Sequence, residues 1–244
     1  MKKMFLLFLT LLLLGLPKNV SAKQKVPILV YHSIDEFTGI GSKELYVTPE
    51  NFEKQMTFLK NHGYTLLTFE RWQDIESVPK PIFITLDDGY KNNLHAFSIF
   101  QKLTNENFRP TATFFVISDF IGRANRLTKS DLRVLANSGL ISIQSHTATH
   151  PDLTRVENLK YELQESKEKI QQITGKPVIA LAYPYGNTNQ HVVTETKKYY
   201  QYGLTTTPGP FSLTGYKNEL YYLPRIYIKY STTLAEFEKL VNVN

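Results

Sequence analysis

Apolar positions along the chain fall into short continuous runs, separated by stretches with helical spacing. "VPILVYH" (Val26–His32) is apolar through Tyr31 and closes on a histidine, the pattern of a parallel strand buried on both faces. Seven further runs read the same way: Tyr64–Phe69, Pro81–Leu86, Thr111–Ile117, Leu140–His146, Val178–Tyr183, Tyr202–Thr206 and Pro224–Lys229. Between them, Thr48-Pro49-Glu50 offers an N-cap, a first-turn proline and an acid that suits the helix dipole. Phe52, Met56 and Leu59 then recur at helical spacing, and Gly63 ends that helix. Further helices are predicted over Asn92–Leu103, Lys129–Asn137 and Leu159–Ile173, the last closed by Gly175-Lys176-Pro177. Strand–helix alternation without repeat or linker predicts a single α/β domain, with a parallel sheet or barrel and helices outside it. The pattern itself leaves open sheet and barrel equally available.

The first residues break this pattern. Lys2 and Lys3 precede an apolar run from Met4 to Leu16, and Val20-Ser21-Ala22 follows. That is the layout of a secretory signal peptide over residues 1–22, which leaves a domain over 23–244 and predicts export. The apolar run is shorter than the roughly 20 residues of a spanning helix. The formal charge is +6, and Lys2, Lys3 and Lys18 would leave with the signal. The remaining excess suits an anionic polymer or the cell envelope and is too weak to predict nucleic-acid binding. There are no cysteines. Disulfides, thiolate metal sites and a cysteine nucleophile are thereby excluded, so any metal must be held by histidine and carboxylate.

Candidate chemistry gathers at strand ends. "PIFITLDDGYKNN" (Pro81–Asn93) runs from a buried strand into Asp87 and Asp88. The pair reads either as a surface turn or as a site, because α/β folds place their chemistry at the carboxyl ends of parallel strands. "QSHTATHPDL" places His146 and His150 four apart just beyond another strand. On a helical turn that spacing sets both imidazoles on one side, where a carboxylate would complete a three-ligand metal site. One aspartate of the doublet could then bind metal while its neighbour faces the reacting water, and the cation would offset their repulsion. A glycosidase pair fits less well, since adjacent residues reach the about 5–9.5 Å separation poorly. His32 closes the first strand, and Tyr183-Pro184-Tyr185-Gly186 ends another in a rigid turn. That turn could line a pocket and aim a backbone N–H at an oxyanion, or be structural only. Arg225 interrupts an apolar strand and needs a partner, for which Asp87 is the natural candidate. His95 and His191 lie in helix-like segments and are expected to face solvent. Trp72, the single tryptophan, is expected in the core.

"TLDDG" (Thr85–Gly89) together with "SHTATHP" (Ser145–Pro151) resembles the paired signature of the polysaccharide deacetylases, carbohydrate esterase family four. "YHSI", "YVTPENFEKQM" and "LAYPYG" extend the likeness over nearly all of residues 23–244, toward the permuted branch acting on poly-N-acetylglucosamine. The resemblance implies a distorted (β/α) barrel with fewer than eight strands and a divalent metal, most often zinc. Asp88, His146 and His150 match its metal ligands, Asp87 its catalytic base and His32 the acid of the permuted branch. Tyr185 matches the residue whose backbone N–H holds the oxyanion, and Pro184 lines the acetyl pocket. Ala182 stands where many members carry an arginine, so the role of holding Asp87 passes to Arg225. No histidine follows His191, so the usual C-terminal Leu-x-His motif is absent. The implied activity is metal-dependent N-deacetylation of an N-acetylglucosamine-containing polysaccharide, by a monomer associated with the cell envelope or secreted. The alternatives are an O-acetyl polysaccharide esterase and an inactive carbohydrate-binding protein.

Overall fold

The eight apolar runs become eight strands of one sheet. The computed structural model describes residues 24–243, so the leader expected over residues 1–22 lies outside them. The strands are β1 (Ile28–Tyr31), β2 (Thr65–Leu67), β3 (Pro81–Leu86), β4 (Ala112–Val116), β5 (Ile141–Ser145), β6 (Ala180–Ala182), β7 (Tyr202–Leu204) and β8 (Ile226–Tyr227). All pairings in this sheet are parallel, in the order β7-β6-β5-β4-β3-β1-β8. β2 lies off that path and pairs with the first half of β3, where Thr65 faces Pro81. β4 takes over beside the second half, where Thr85 faces Thr113. The continuous wall therefore has seven positions, fewer than the eight of a full barrel, as the resemblance implied.

The sheet curls until its two edges meet. Leu223 N–H donates to Gly203 O at 3.0 Å, Thr205 N–H to Leu223 O at 2.9 Å, and Arg225 N–H to Thr207 O at 2.9 Å. The segment entering β8 thus runs along β7 and then joins β1, where Ile226 faces Leu29. A second weak seam lies between β5 and β6, which pair only at Ser145 and Leu181. There the Gln144 side chain replaces backbone, its carbonyl oxygen accepting from Ile179 N–H at 2.7 Å and Ala180 N–H at 2.9 Å. Those amides would otherwise lack partners in a dry interior.

Alternation along the strands sorts residues into two cores. Leu29, Tyr31, Ile84, Leu86, Phe114, Val116, Ile143 and Leu181 pack outward against the helices. Val26, Ile28, Phe83, Phe115, Ala180, Ala182 and Leu204 fill the barrel. The helices are α1 (Pro49–Asn61), α2 (Leu94–Leu103), α3 (Lys129–Asn137), α4 (Ser166–Thr174), α5 (Gln190–Thr196) and α6 (Leu234–Val241). Their ends follow the expected chemistry. Thr48 Oγ1 accepts from Asn51 N–H, Thr128 and Asp131 form a reciprocal capping box, and Gly175 ends α4 at φ 67°.

The helix predicted from Leu159 differs: Tyr161–Glu165 is a π-helical turn ahead of α4. Trp72, expected in the core, is half-buried and packs against the edge of the barrel core, with the rings of Tyr202 and Phe211 5.0 and 5.2 Å away. His95 and His191 are exposed, although the His95 ring also bonds to Ile34 O at 2.8 Å.

Candidate active site

Extending the inward-facing set of each strand by one step reaches the site. Ile28 and Val30 lead to His32 on β1, Phe83 and Thr85 to Asp87 on β3, and Ser142 and Gln144 to His146 on β5, each at spacing two. All three lie just past the carboxyl ends of parallel strands, so they converge on one mouth of the barrel.

Asp87 is 2 % exposed, and burial of this degree penalises its charge. Arg225, 1 % exposed, meets it with both terminal nitrogens: Nη1 donates to Oδ1 and Nη2 to Oδ2, each at 2.8 Å. Arg225 Nε donates to Thr205 O at 2.9 Å, which fixes the plane of the guanidinium. Burial would raise the Asp87 pKa, but the charge of Arg225 and its paired hydrogen bonds hold it at about 2. The partnership expected for Arg225 is therefore present, although Arg225 precedes β8 instead of lying within it.

Asp88 turns away from its neighbour through a left-handed backbone, φ 71°. Its Oδ1 lies 3.6 Å from His146 Nε2 and 3.6 Å from His150 Nε2. One ligand atom from each of the three residues falls within 4.8 Å of the others, the only such group among the described residues. The donor set fits a divalent cation. His146 Nδ1 is 2.7 Å from Ala182 O, which can only accept, so the ring proton sits there and the Nε2 lone pair faces Asp88. Burial and the adjacent His146 push the His150 pKa down to about 4, keeping that ring neutral as a ligand must be. Two neutral imidazoles and one carboxylate suit zinc with a position left open.

The helical turn expected between the two histidines is absent. His146 and His150 bracket a loop in which Thr147 and His150 themselves are left-handed, φ 67° and 66°. The loop curls because Thr147 Oγ1 accepts from His150 N–H at 3.0 Å, and the rings meet edge to face at 4.7 Å. Asp88, Thr147, His150 and Tyr185 make up four of the seven non-glycine residues with positive φ among the described residues. Such conformations cost roughly 1–3 kcal/mol each and persist where surroundings enforce them.

Tyr185, φ 62°, sits in the turn after β6, with its ring 4.8 Å from that of His150 and 63 % exposed. Pro184 beside it is buried. Gly186 cannot carry a side chain, since a Cβ would fall 2.5 Å from Thr206 N. His32 packs its ring 5.3 Å from that of Tyr227, and its Nδ1 is buried without a hydrogen-bond partner. Burial lowers the His32 pKa, opposed by the charges of Asp87 and Asp88. The site thus brings together all eight predicted residues. Tyr227 belongs there too, its phenol pKa raised by burial and by the charges of Asp87 and Asp88. Its inward direction follows from sharing a strand face with Arg225, two positions earlier.

A family model described as polysaccharide deacetylase matches residues 74–204, which hold Asp87, Asp88, His146, His150, Pro184 and Tyr185. The chain belongs to the polysaccharide deacetylase family. Among curated relatives, a Bacillus subtilis chain, YxkH, is 32 % identical over 197 residues, covering 77 % of this chain and 67 % of its own. A poly-beta-1,6-N-acetyl-D-glucosamine N-deacetylase of Staphylococcus epidermidis is 30 % identical over 192 residues, covering 68 % and 64 %. The chain thus spans about two thirds of the length of these relatives. Among solved structures, a polysaccharide deacetylase from Bacillus cereus is 51 % identical with a TM-score of 0.89, over 90 % of this chain and 70 % of that one. The Streptococcus pyogenes deacetylase PplD, solved with acetate, is 26 % identical with a TM-score of 0.80, over 91 % and 100 %.

Proposed function

We propose that this protein is an exported, metal-dependent N-deacetylase that removes acetyl groups from an N-acetylglucosamine-containing polysaccharide. The observation that carries the proposal is the division of the aspartate doublet. Asp87 is clamped by Arg225 while Asp88 faces the two histidines, so neighbouring carboxylates are held for different tasks. Asp88, His146 and His150 would hold the cation, most suitably zinc. When bound, it supplies Lewis acidity at the acetyl carbonyl and makes water a better nucleophile.

The chain's own groups do the rest. Asp87 stays ionised at neutral pH and borders the same space as the metal-ligating atoms, its Oδ2 lying 3.9 Å from His146 Nε2. It accepts the proton of the attacking water as oxygen bonds to the acetyl carbon. The Tyr185 backbone N–H steadies the oxyanion, a contribution of about 2.7–4 kcal/mol for a well-placed donor. Pro184 and the Tyr185 turn shape the acetyl pocket. His32 in its protonated form, which burial makes a stronger acid, gives its proton to the departing amine as the carbon–nitrogen bond breaks. Acetate and a free amine remain.

The likeness to staphylococcal poly-beta-1,6-N-acetyl-D-glucosamine N-deacetylases supports the substrate class. The Lys2-Lys3 start and the apolar run behind it support export. The test is release of primary amine from poly-N-acetylglucosamine oligomers. Amine should appear with the purified protein, vanish with chelator and return with zinc. Hydrolysis of O-acetylated xylan without amine release would replace the proposal with an esterase. Zinc binding without turnover of either would leave a binding protein.

A further inference from the structure

We infer that Glu162 is a positioning residue that holds the His146–His150 loop in its ligating shape, acting through Ala148 and Thr149. Its carboxylate is buried and reaches the middle of the loop. Oε2 accepts from Ala148 N–H and Thr149 N–H, both at 2.9 Å, and Oε1 accepts from the Thr149 hydroxyl at 2.6 Å. No cation pairs with Glu162 among the described residues, and Lys169, a basic residue nearby in the chain, is engaged with Asp119. A buried carboxylate answered only by amide and hydroxyl donors is expensive to maintain, so its geometry has to serve something.

What it serves is a loop bent at both ends. Thr147 and His150, on either side of the two held amides, are the left-handed residues. Without an acceptor between them, the buried Ala148 N–H and the adjacent Thr149 N–H would turn toward other partners and the loop would open. Glu162 stands at the second position of the π-helical turn, and Ser166 follows four residues later. Ser166 Oγ lies 2.9 Å from Ser145 Oγ, which in turn accepts from Thr147 N–H at 3.2 Å. One helix face therefore fixes both the strand end and the loop. On the other side, Ser118 N–H and Asp119 N–H donate to Thr147 O and Ala148 O, each at 3.0 Å. π-Helical turns recur where a helix must aim a side chain at a site.

The inference rests on the metal-site reading above, and its test separates the two. Zinc affinity is measured by competition with a chromophoric chelator for the wild type, Glu162→Ala, Glu162→Gln and Thr111→Val. The last removes a buried bond to Leu66 O at the base of the barrel and serves as a stability control. Glu162→Ala should weaken zinc binding about 10–100-fold. Glu162→Gln, whose carbonyl can still take both amides, should stay within about threefold. Thr111→Val should lower the melting temperature and leave zinc affinity unchanged. In chelated protein, hydrogen exchange at the Ala148 and Thr149 amides should accelerate about tenfold or more in Glu162→Ala alone.

Wild-type zinc affinity in Glu162→Ala, or equal weakening in Thr111→Val, overturns the inference. Should Glu162→Ala fail to fold, Glu162→Asp, with its carboxylate withdrawn by one methylene, carries the same comparison. A wild type that binds no zinc defeats the metal reading. The exchange rates still decide whether Glu162 orders the loop, and unchanged rates refute it.

Discussion

Replacing Arg225 by methionine keeps much of its length and removes its charge, leaving Asp87 buried opposite an apolar chain. The structure sets the size of the effect. Arg225 makes two 2.8 Å bonds to a carboxylate that is 2 % exposed, a third to Thr205 O and a longer one to Thr85 Oγ1 at 3.3 Å. Breaking a buried pair from one side costs about 3–5 kcal/mol, because the remaining charge loses its partner. For a domain of this size that lowers the melting temperature by roughly 6–20 °C. Part of the loss should return in the double variant Asp87→Asn/Arg225→Met, since a neutral amide is easier to bury than an unpaired carboxylate. The effects of the two single variants should therefore fail to add by about 2 kcal/mol or more. Activity supplies an independent reading. Arg225 is what holds Asp87 at about 2 against burial, so without it burial raises the pKa. The acid limb of kcat/KM should then move up by about a unit or more. Thermal melts of the four proteins and a pH–rate profile of the arginine variant suffice. Additive losses below about 1 kcal/mol would place the pair among weak surface bridges. An unmoved acid limb would show that Arg225 does not keep Asp87 ionised.

Asp87→Asn should retain zinc and lose about 10²–10⁴-fold in kcat, whereas His146→Ala should lose both metal and turnover. Calorimetric zinc titration decides, and equal loss of metal in the two variants would refute the division of the doublet. Metal-free protein should also lose stability as pH falls from about 6.5 toward 4. His150, held at about 4 first by burial, and His32, also lowered first by burial, both take up protons in the unfolded chain before the folded one. The aspartates held low titrate beneath that window. Melting temperatures of chelated protein should fall between pH 7 and pH 4.5 and fall less in His150→Gln. A flat profile would contradict the assignment.

The strands were legible because a parallel strand buried on both faces must be apolar throughout, and Pro81–Leu86 is buried at all six positions. Capping chemistry was legible for the same local reason, at Thr48 and Thr128. Closure of the sheet was not, because Leu223–Arg225 closes it with irregular hydrogen bonds that carry no periodic signal. The meeting of His146 and His150 was expected for an inadequate reason: four-residue spacing suggested a helical turn, but left-handed residues do the bending. A β-branched residue such as Thr147 rarely adopts that conformation unless its surroundings impose it, so the sequence around Thr147 could not announce it. Glu162 was hidden because a glutamate inside an apparent helix reads as a solvated face, and only the π-helical turn brings it inward. The family signature pointed to the aspartate doublet and the two histidines without supplying the forces that hold them.

Closure and the proposed catalysis share one bond. Asp87 and Arg225 are separated by 138 residues, and Arg225 reaches its place only when Leu223–Arg225 has paired with β7 and Ile226–Tyr227 with β1. Until then, Asp87 at the inward end of β3 has no cation to offset its burial, so the penalty opposes completing the barrel around it. Once the last strand docks, the same guanidinium removes that penalty, bonds to Thr205 O at the end of β7 and keeps the carboxylate charged. Sequence-distant contacts of this kind form late, because loop closure must precede any return from the bond. A barrel left open at β8 would therefore keep the proposed metal-ligating triad, since Asp88, His146 and His150 follow β3 and β5, while losing the proposed proton acceptor. Metal binding and turnover should accordingly separate in any variant that loosens the β7–β8 seam without touching the triad. The seam thus couples the stability of this fold to the proposed chemistry through the Asp87–Arg225 pair.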